Sequence, residues 1–150
     1  MSVTPTDVDQ GIVLQEQVVA FIRAFGLHRP DQTACGQPVS VSEAHALMEL
    51  AAGASLRPAE LALRLRLEKS TVSRLVRQLE KRGWLTREPD SSDGRAVQLR
   101  LTDAGRTAAG KLARARADKF DALMRALPRD QRDQIIEGFK TLVEVLDAGS

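Results

Sequence analysis

Between Ser70 and Arg82 the chain reads Ser-Thr-Val-Ser-Arg-Leu-Val-Arg-Gln-Leu-Glu-Lys-Arg, placing hydroxyls at Ser70, Thr71 and Ser73 and cations at Arg74, Arg77 and Lys81 among apolar residues. Val72, Leu75, Val76 and Leu79 fall at i, i+3, i+4 and i+7, so a helix gathers them into one stripe and turns Ser70, Arg74, Arg77 and Lys81 to the other side. A helix with that outward face can enter the major groove of duplex DNA, where Arg makes paired hydrogen bonds to guanine and Ser or Thr meets base edges and phosphates. Arg74 and Arg77 are placed for bases or phosphates, Ser70, Thr71 and Ser73 for phosphate or base edges near the helix start, and Lys81 for the backbone. A second group follows at Arg87, Asp93 and Arg95, around the connection Asp-Ser-Ser-Asp-Gly-Arg. Asp-Gly is a strong turn signal, so Arg95 belongs to a hairpin tip, where it would meet the negative potential of a narrow minor groove. Arg57, ahead of the preceding helix, completes the candidate DNA contacts.

The elements that must position these groups can be read outward from them. Gly83 stops the first segment as a C′ residue, so the helix spans about 70–82. Leu61, Ala62 and Leu65 recur at helical spacing behind Pro58, a residue favoured in a first turn, and predict a short helix over 58–66. Ser40 with Glu43 fits a capping box opening a helix that runs through Leu50. Ahead of it, His28 to Val41 is a connecting loop, and Val8 to Leu27 is an amphipathic helix. After Gly83 the period becomes two: WLTREP and AVQLRL are short extended runs, with Val97, Leu99 and Leu101 alternating against Ala96, Gln98 and Arg100. Thr102 caps a long helix reaching about Leu127, with Asp103 in its first turn. Pro128 starts a last helix whose apolar face includes Ile135, Ile136, Phe139, Leu142, Val143 and Leu146. The expected fold class is mainly α with a small β wing, a winged helix-turn-helix over 40–101 flanked by dimerisation helices at 8–30 and 103–147, all in a single domain of 150 residues.

Charge supports the same assignment. The net charge is +2, but residues 57–106 carry twelve basic and seven acidic side chains, +5, and the remainder carries −3. A basic centre on an otherwise slightly acidic chain is the footprint of a nucleic-acid reader on a neutral scaffold. No apolar run approaches the roughly 20 residues that span a bilayer, and the N-terminal residues lack the basic-then-apolar order of a signal peptide, so a cytoplasmic location without a membrane partner is expected. The single cysteine, Cys35, excludes an internal disulfide.

In combination these residues resemble the MarR (multiple antibiotic resistance regulator) family of bacterial transcription factors. The resemblance rests on Ser70 to Val76, the helix end Leu79 to Gly83, the wing pattern Arg87 to Arg95, and Leu-Thr-x-x-Gly from Leu101 to Gly105. It covers the whole chain in element order and is sharp from about Leu61 to Gly105. It implies an obligate homodimer with interlocked terminal helices, presenting two reading helices and two wings to a pseudo-palindromic operator in double-stranded DNA. It also implies a repressor, released in many members by a small phenolic or other lipophilic effector. Broad apolar surface on the terminal helices, with Val8, Ile12, Val19, Phe139, Val143 and Leu146, points independently to a dimer. Two positions depart from the pattern. Arg57 stands where a small polar cap usually precedes the third helix, so that cap is lost or moved to Ser55, and Glu68 stands where Ser or Asp is common.

A signal-sensing site is less distinctly written. Cys35, His28 and His45 fall within eighteen residues, with Glu43 among them. Thiolate, imidazole and carboxylate suit zinc, although the spacing matches no ligand motif; a redox switch at Cys35 and an incidental thiol are the other readings. An organic effector would need an apolar cleft with a few polar groups, to which Phe21, Phe25, Met48, Trp84 and Phe120 are candidates, although aromatics at helical spacing also serve as core. No cofactor is implied. An enzyme lacks support, there being no Gly-rich phosphate loop and no Ser/His/Asp or Cys/His arrangement in recognisable context. A protein-binding winged helix is the better rival, but such a domain would need neither the cationic helix face nor Arg95.

Overall fold

The computed structural model describes residues 7–92 and 94–150; Asp93 lies outside the described residues, as does the side chain of Val8. The elements run α1 (Asp7–Phe25), α2 (Val41–Ala52), α3 (Pro58–Leu65), α4 (Lys69–Lys81), β1 (Leu85–Pro89), β2 (Val97–Leu101), α5 (Asp103–Ala126) and α6 (Arg132–Ala148). They group into two compact units, Met1–Ala113 and Arg114–Ser150, with the division falling inside α5.

In the first unit the capping box opens α2 as its sequence predicts: Ser40 Oγ accepts from Glu43 N at 3.1 Å and Glu43 Oε2 accepts from Ser40 N at 2.9 Å. Pro58 occupies the first turn of α3. That helix stops at Leu65, one residue early, because Arg66 turns left-handed with φ 55° and donates its N–H back into the last turn. The non-glycine left-handed residue makes the tight turn that lets α4 begin at Lys69. Gly83, at φ +76°, ends α4 and redirects the chain into β1.

The wing is an antiparallel pair in which Leu85 faces Leu101 and Pro89 faces Val97. Leu56, just before α3, adds a bridge to Leu99, exchanging both backbone hydrogen bonds at 3.1 and 2.7 Å. The hairpin is thereby stitched to the entry of the helix-turn-helix. Leu47, Leu50, Leu61, Val72, Val76, Leu79 and Leu99 fill a core between α2, α3, α4 and the wing, with Ala109 and Leu112 of α5 joining it.

Thr102 caps α5, accepting from Gly105 N at 3.0 Å while its hydroxyl donates to Gly83 O at 2.7 Å. This couples the end of the wing to the end of α4 and explains the glycine of Leu-Thr-x-x-Gly. A Cβ on Gly105 would sit inside the Trp84 carbonyl, which in turn accepts from Thr102 N. In the second unit the last helix does not start at Pro128. A 3-10 turn, Arg129–Gln131, follows that proline, and α6 begins at Arg132, whose guanidinium Nε donates to Leu127 O at 3.2 Å.

Gly105→Ala is therefore expected to lower stability by about 1–3 kcal/mol, the range for forcing a group into a packed site. A thermal-unfolding midpoint equal to that of the unmodified chain would contradict the close approach.

Candidate nucleic-acid interface

Helix α4 divides as its spacing dictates. Val72, Leu75, Val76 and Leu79 are buried, while Lys69, Ser70, Ser73, Arg74, Arg77 and Lys81 are exposed and Thr71 is half-buried. Glu68 at its N-cap makes no capping bond, so the first N–H groups of α4 are left to other acceptors. Arg95 and Gly94 stand exposed at the tip of the wing, between β1 and β2.

Ion pairing sorts the cations of this unit in a way that composition could not. Arg57 pairs with Asp90, Arg64 with Glu49, Arg82 with Glu43, Arg87 with Glu80, Arg100 with Glu88, and Arg106 with Asp103. Among the described residues, Lys69, Arg74, Arg77 and Lys81 have no ion-pair partner, and all four lie on α4. Four unpaired cations therefore share the outward face of this one helix, while Arg23, Arg29 and Lys111, also without an ion-pair partner among the described residues, lie on other elements. Arg77 reaches only its own helix, with Nε 3.4 Å from Ser73 O, a weak contact that a stronger acceptor could displace.

The paired arginines make contacts within the chain that their sequence positions did not reveal. Arg87 lies across the wing against Glu80 at 3.1 Å, bracing β1 on α4. Arg57 has no capping partner in Ser55; its backbone N–H donates to Glu60 Oε2 at 3.0 Å, half of a capping box, and its guanidinium leaves the helix for Asp90. Asp90 also accepts from Ser92 N and Oγ and from Gln98 Nε2. These bonds, the Ser92 backbone donor foremost, hold its carboxyl well below the usual carboxylate range. Burial pushes the Glu43 carboxyl up, but donors from Ser40 and Arg82 outweigh it and leave the group lowered. Arg82 in turn lies over the Trp84 ring, 5.0 Å from its centroid. Sequence reasoning missed Arg82, Asp90 and Gln98. Only Asp90 carried a local signal, since Asp followed two residues later by Ser is an Asx-turn arrangement.

The metal-ligand candidates do not assemble among the described residues. Glu43 is committed to the α2 cap and Arg82, so it is not an available metal ligand, while His45 is exposed on α2. His28 is exposed in the loop, Cys35 is half-buried with its sulfur 2.9 Å from Thr33 Oγ1, and no three metal-binding side chains cluster among the described residues. Phe21 and Phe25 stack on each other within α1 at 5.2 Å, Met48 and Trp84 pack against the core, and Phe120 is exposed in the second unit. An open cleft of about 350 Å³ lies elsewhere, lined by Arg57, Pro58, Ala59, Lys69, Ser73, Ala96 and Val97, and none of the five expected residues borders it.

The sequence profile of the MarR family matches residues 37–96, the span from just before α2 through the wing tip. An uncharacterised HTH-type transcriptional regulator of Mycobacterium leprae is 30% identical over 110 residues, covering 73% of this chain and 77% of that protein. The chain belongs to the MarR family. Two solved structures share the fold at lower identity. FabT of Streptococcus pneumoniae, solved in complex with DNA, superimposes with TM-score 0.70 at 19% identity, over 94% of each chain. The transcriptional regulator PcaV of Streptomyces coelicolor, solved with its natural ligand, superimposes with TM-score 0.70 at 23% identity over the full length of both. The winged helix-turn-helix fold and the role of a DNA-binding transcription regulator follow from membership in this family. Among the described residues, no helix is long and apolar enough to cross a membrane.

The lowered carboxyls give a testable pH dependence. A group whose folded-state pKa is depressed contributes stability above the ordinary carboxylate range, and that contribution disappears as pH falls through the folded value. The thermal midpoint should therefore drop on acidification below about pH 4, and Asp90→Asn should remove part of that dependence while lowering the midpoint at neutral pH. An identical acid profile in the variant would contradict the hydrogen-bonding assignment of Asp90.

Proposed function

We propose that the protein is a homodimeric, sequence-specific repressor that inserts one α4 per half-site into successive major grooves and braces each with Arg95 in the adjacent minor groove. The observation that carries this reading is the charge on α4: four cations without ion-pair partners, Lys69, Arg74, Arg77 and Lys81, share this one helix opposite its buried stripe. Arg74 and Arg77 are assigned to bases or phosphates, Ser70, Thr71 and Ser73 to phosphates and base edges at the helix start, and Lys69 and Lys81 to the backbone. FabT, a fold neighbour, was solved on DNA, in keeping with this mode.

A second copy of the chain is assigned to cover the apolar side chains left open on the terminal helices. In α1, Ile12, Val13, Val18 and Val19 are exposed; in α6, Ile136, Phe139, Val143, Val145 and Leu146 are exposed. Apolar faces of that extent on both terminal helices mark an association surface. A dimer also matches two reading helices to two half-sites about one helical turn apart. Release by a small lipophilic ligand is proposed as the regulatory step, in keeping with the ligand-bound state of the fold neighbour PcaV.

Arg74→Ala and Arg77→Ala should each weaken operator binding by about 1–3 kcal/mol where the side chain meets a base, or weaken all sequences alike and reduce the salt slope by about 0.9 where it meets a phosphate. Arg100→Ala, already paired with Glu88 and lying away from α4, should change affinity far less. Native affinity in an Arg74/Arg95 double alanine variant would overturn the mechanism. Introducing a charge at Val143 or Phe139 should shift sedimentation from dimer toward monomer and weaken operator binding in parallel; an unchanged sedimentation coefficient would refute the assigned interface.

A further inference from the structure

Arg57 is one of two positions at which this chain departs from the usual small polar helix cap, and the structure shows where its side chain goes. Its Nε and Nη2 reach Asp90 Oδ2 at 3.2 and 2.6 Å, spanning 33 positions of sequence. Asp90, only 7% exposed, is an anion set into the wing just where β1 gives way to the tip. Its two oxygens divide the work. Oδ1 accepts from Ser92 N at 3.0 Å and Ser92 Oγ at 2.8 Å, closing the first turn of the tip on itself. Oδ2 accepts from Gln98 Nε2 at 3.0 Å as well as from Arg57, joining β2 and the start of α3 at one atom. The backbone of Asp90 donates to Ala96 O at 3.0 Å, so the loop carrying Arg95 is pinned at its root from both sides.

We propose that Asp90 and Arg57 are positioning residues for DNA reading: the fork from Arg57 to Asp90 fixes the wing tip, and with it Arg95, against the helix-turn-helix, and neither side chain acts by touching DNA. This rests on the assignment of Arg95 to the minor groove. Arg57 was expected from its sequence position to be a DNA contact, and that rival reading makes opposite predictions. An exposed cation that meets phosphate can be replaced by lysine, whereas the planar fork onto Asp90 cannot. Removing the charge of Asp90 should tighten DNA binding if only overall electrostatics matter, and loosen it if Asp90 holds the wing.

The test is operator affinity of purified Asp90→Asn, Gln98→Ala, Arg57→Lys and Arg95→Ala, singly and with Asp90→Asn combined with Arg95→Ala, at one fixed salt concentration. Thermal midpoints confirm that each variant is folded at the assay temperature, and Gln98→Ala, which loosens the same oxygen while leaving the ion pair, serves if Asp90→Asn does not fold. Asp90→Asn should weaken binding on the order of tenfold, the scale of one lost charge-assisted contact. Arg57→Lys should lose a comparable factor and Gln98→Ala a smaller one. In the Arg95→Ala background Asp90→Asn should cost less than about twofold, because the residue through which it acts is already gone. Binding by Asp90→Asn as tight as or tighter than the unmodified chain overturns the proposal, as does an equal loss with and without Arg95, or full affinity in Arg57→Lys. If Arg95→Ala alone binds normally, the minor-groove assignment fails instead, and the two failures are thereby distinguished.

Discussion

Everything at the DNA-facing surface depends on one buried stripe, Val72, Val76 and Leu79 of α4 packed into the core with Leu75 buried alongside. Each such side chain contributes about 1.5–3 kcal/mol when fully removed from water. The cationic face gains nothing from folding by itself: like charges along one helix repel, and the N-terminal N–H groups of α4 have no side-chain cap. The helix forms where it does because its apolar side has one place to go, between α2, α3 and the wing. A polar residue at Val76 or Leu79 would therefore disturb reading without touching a single cation.

That core is closed by polar devices that connect segments distant in sequence. Leu56 bridges to Leu99, Thr102 ties the wing exit to Gly83, and Glu43 joins the start of α2 to Arg82 at the end of α4. Each leaves a backbone or charged group satisfied where burial would otherwise penalise it. Together they make the wing and the reading helix parts of one body. The basic surface consequently contains many acidic residues, placed beside Arg57, Arg82, Arg87 and Arg100, while Lys69, Arg74, Arg77 and Lys81 on α4 keep no ion-pair partner.

Local chemistry was legible in the sequence, and tertiary partnership was not. The Ser40–Glu43 box, Pro58, Gly83, Thr102 and the alternation through Val97, Leu99 and Leu101 all act within a few residues, and each element they mark stands within a residue or two of its expected bounds. The exceptions have local causes too. Arg66 takes a left-handed conformation that its side chain does not advertise, and the 3-10 turn after Pro128 delays α6. What spacing could not reveal were partners 33 and 39 residues away: Asp90 beside Arg57, and Glu43 beside Arg82.

The central claim is that α4 and the wing read DNA as a fixed pair, twice, on one face of the duplex. Hydroxyl-radical footprinting of the purified protein on its operator measures this at nucleotide resolution. The account predicts protection in two half-sites with centres about one helical turn, roughly 10 base pairs, apart, each accompanied by protection of the adjacent minor groove that disappears in Arg95→Ala. A single uninterrupted protection without groove phasing, or a minor-groove footprint unchanged by loss of Arg95, would contradict it.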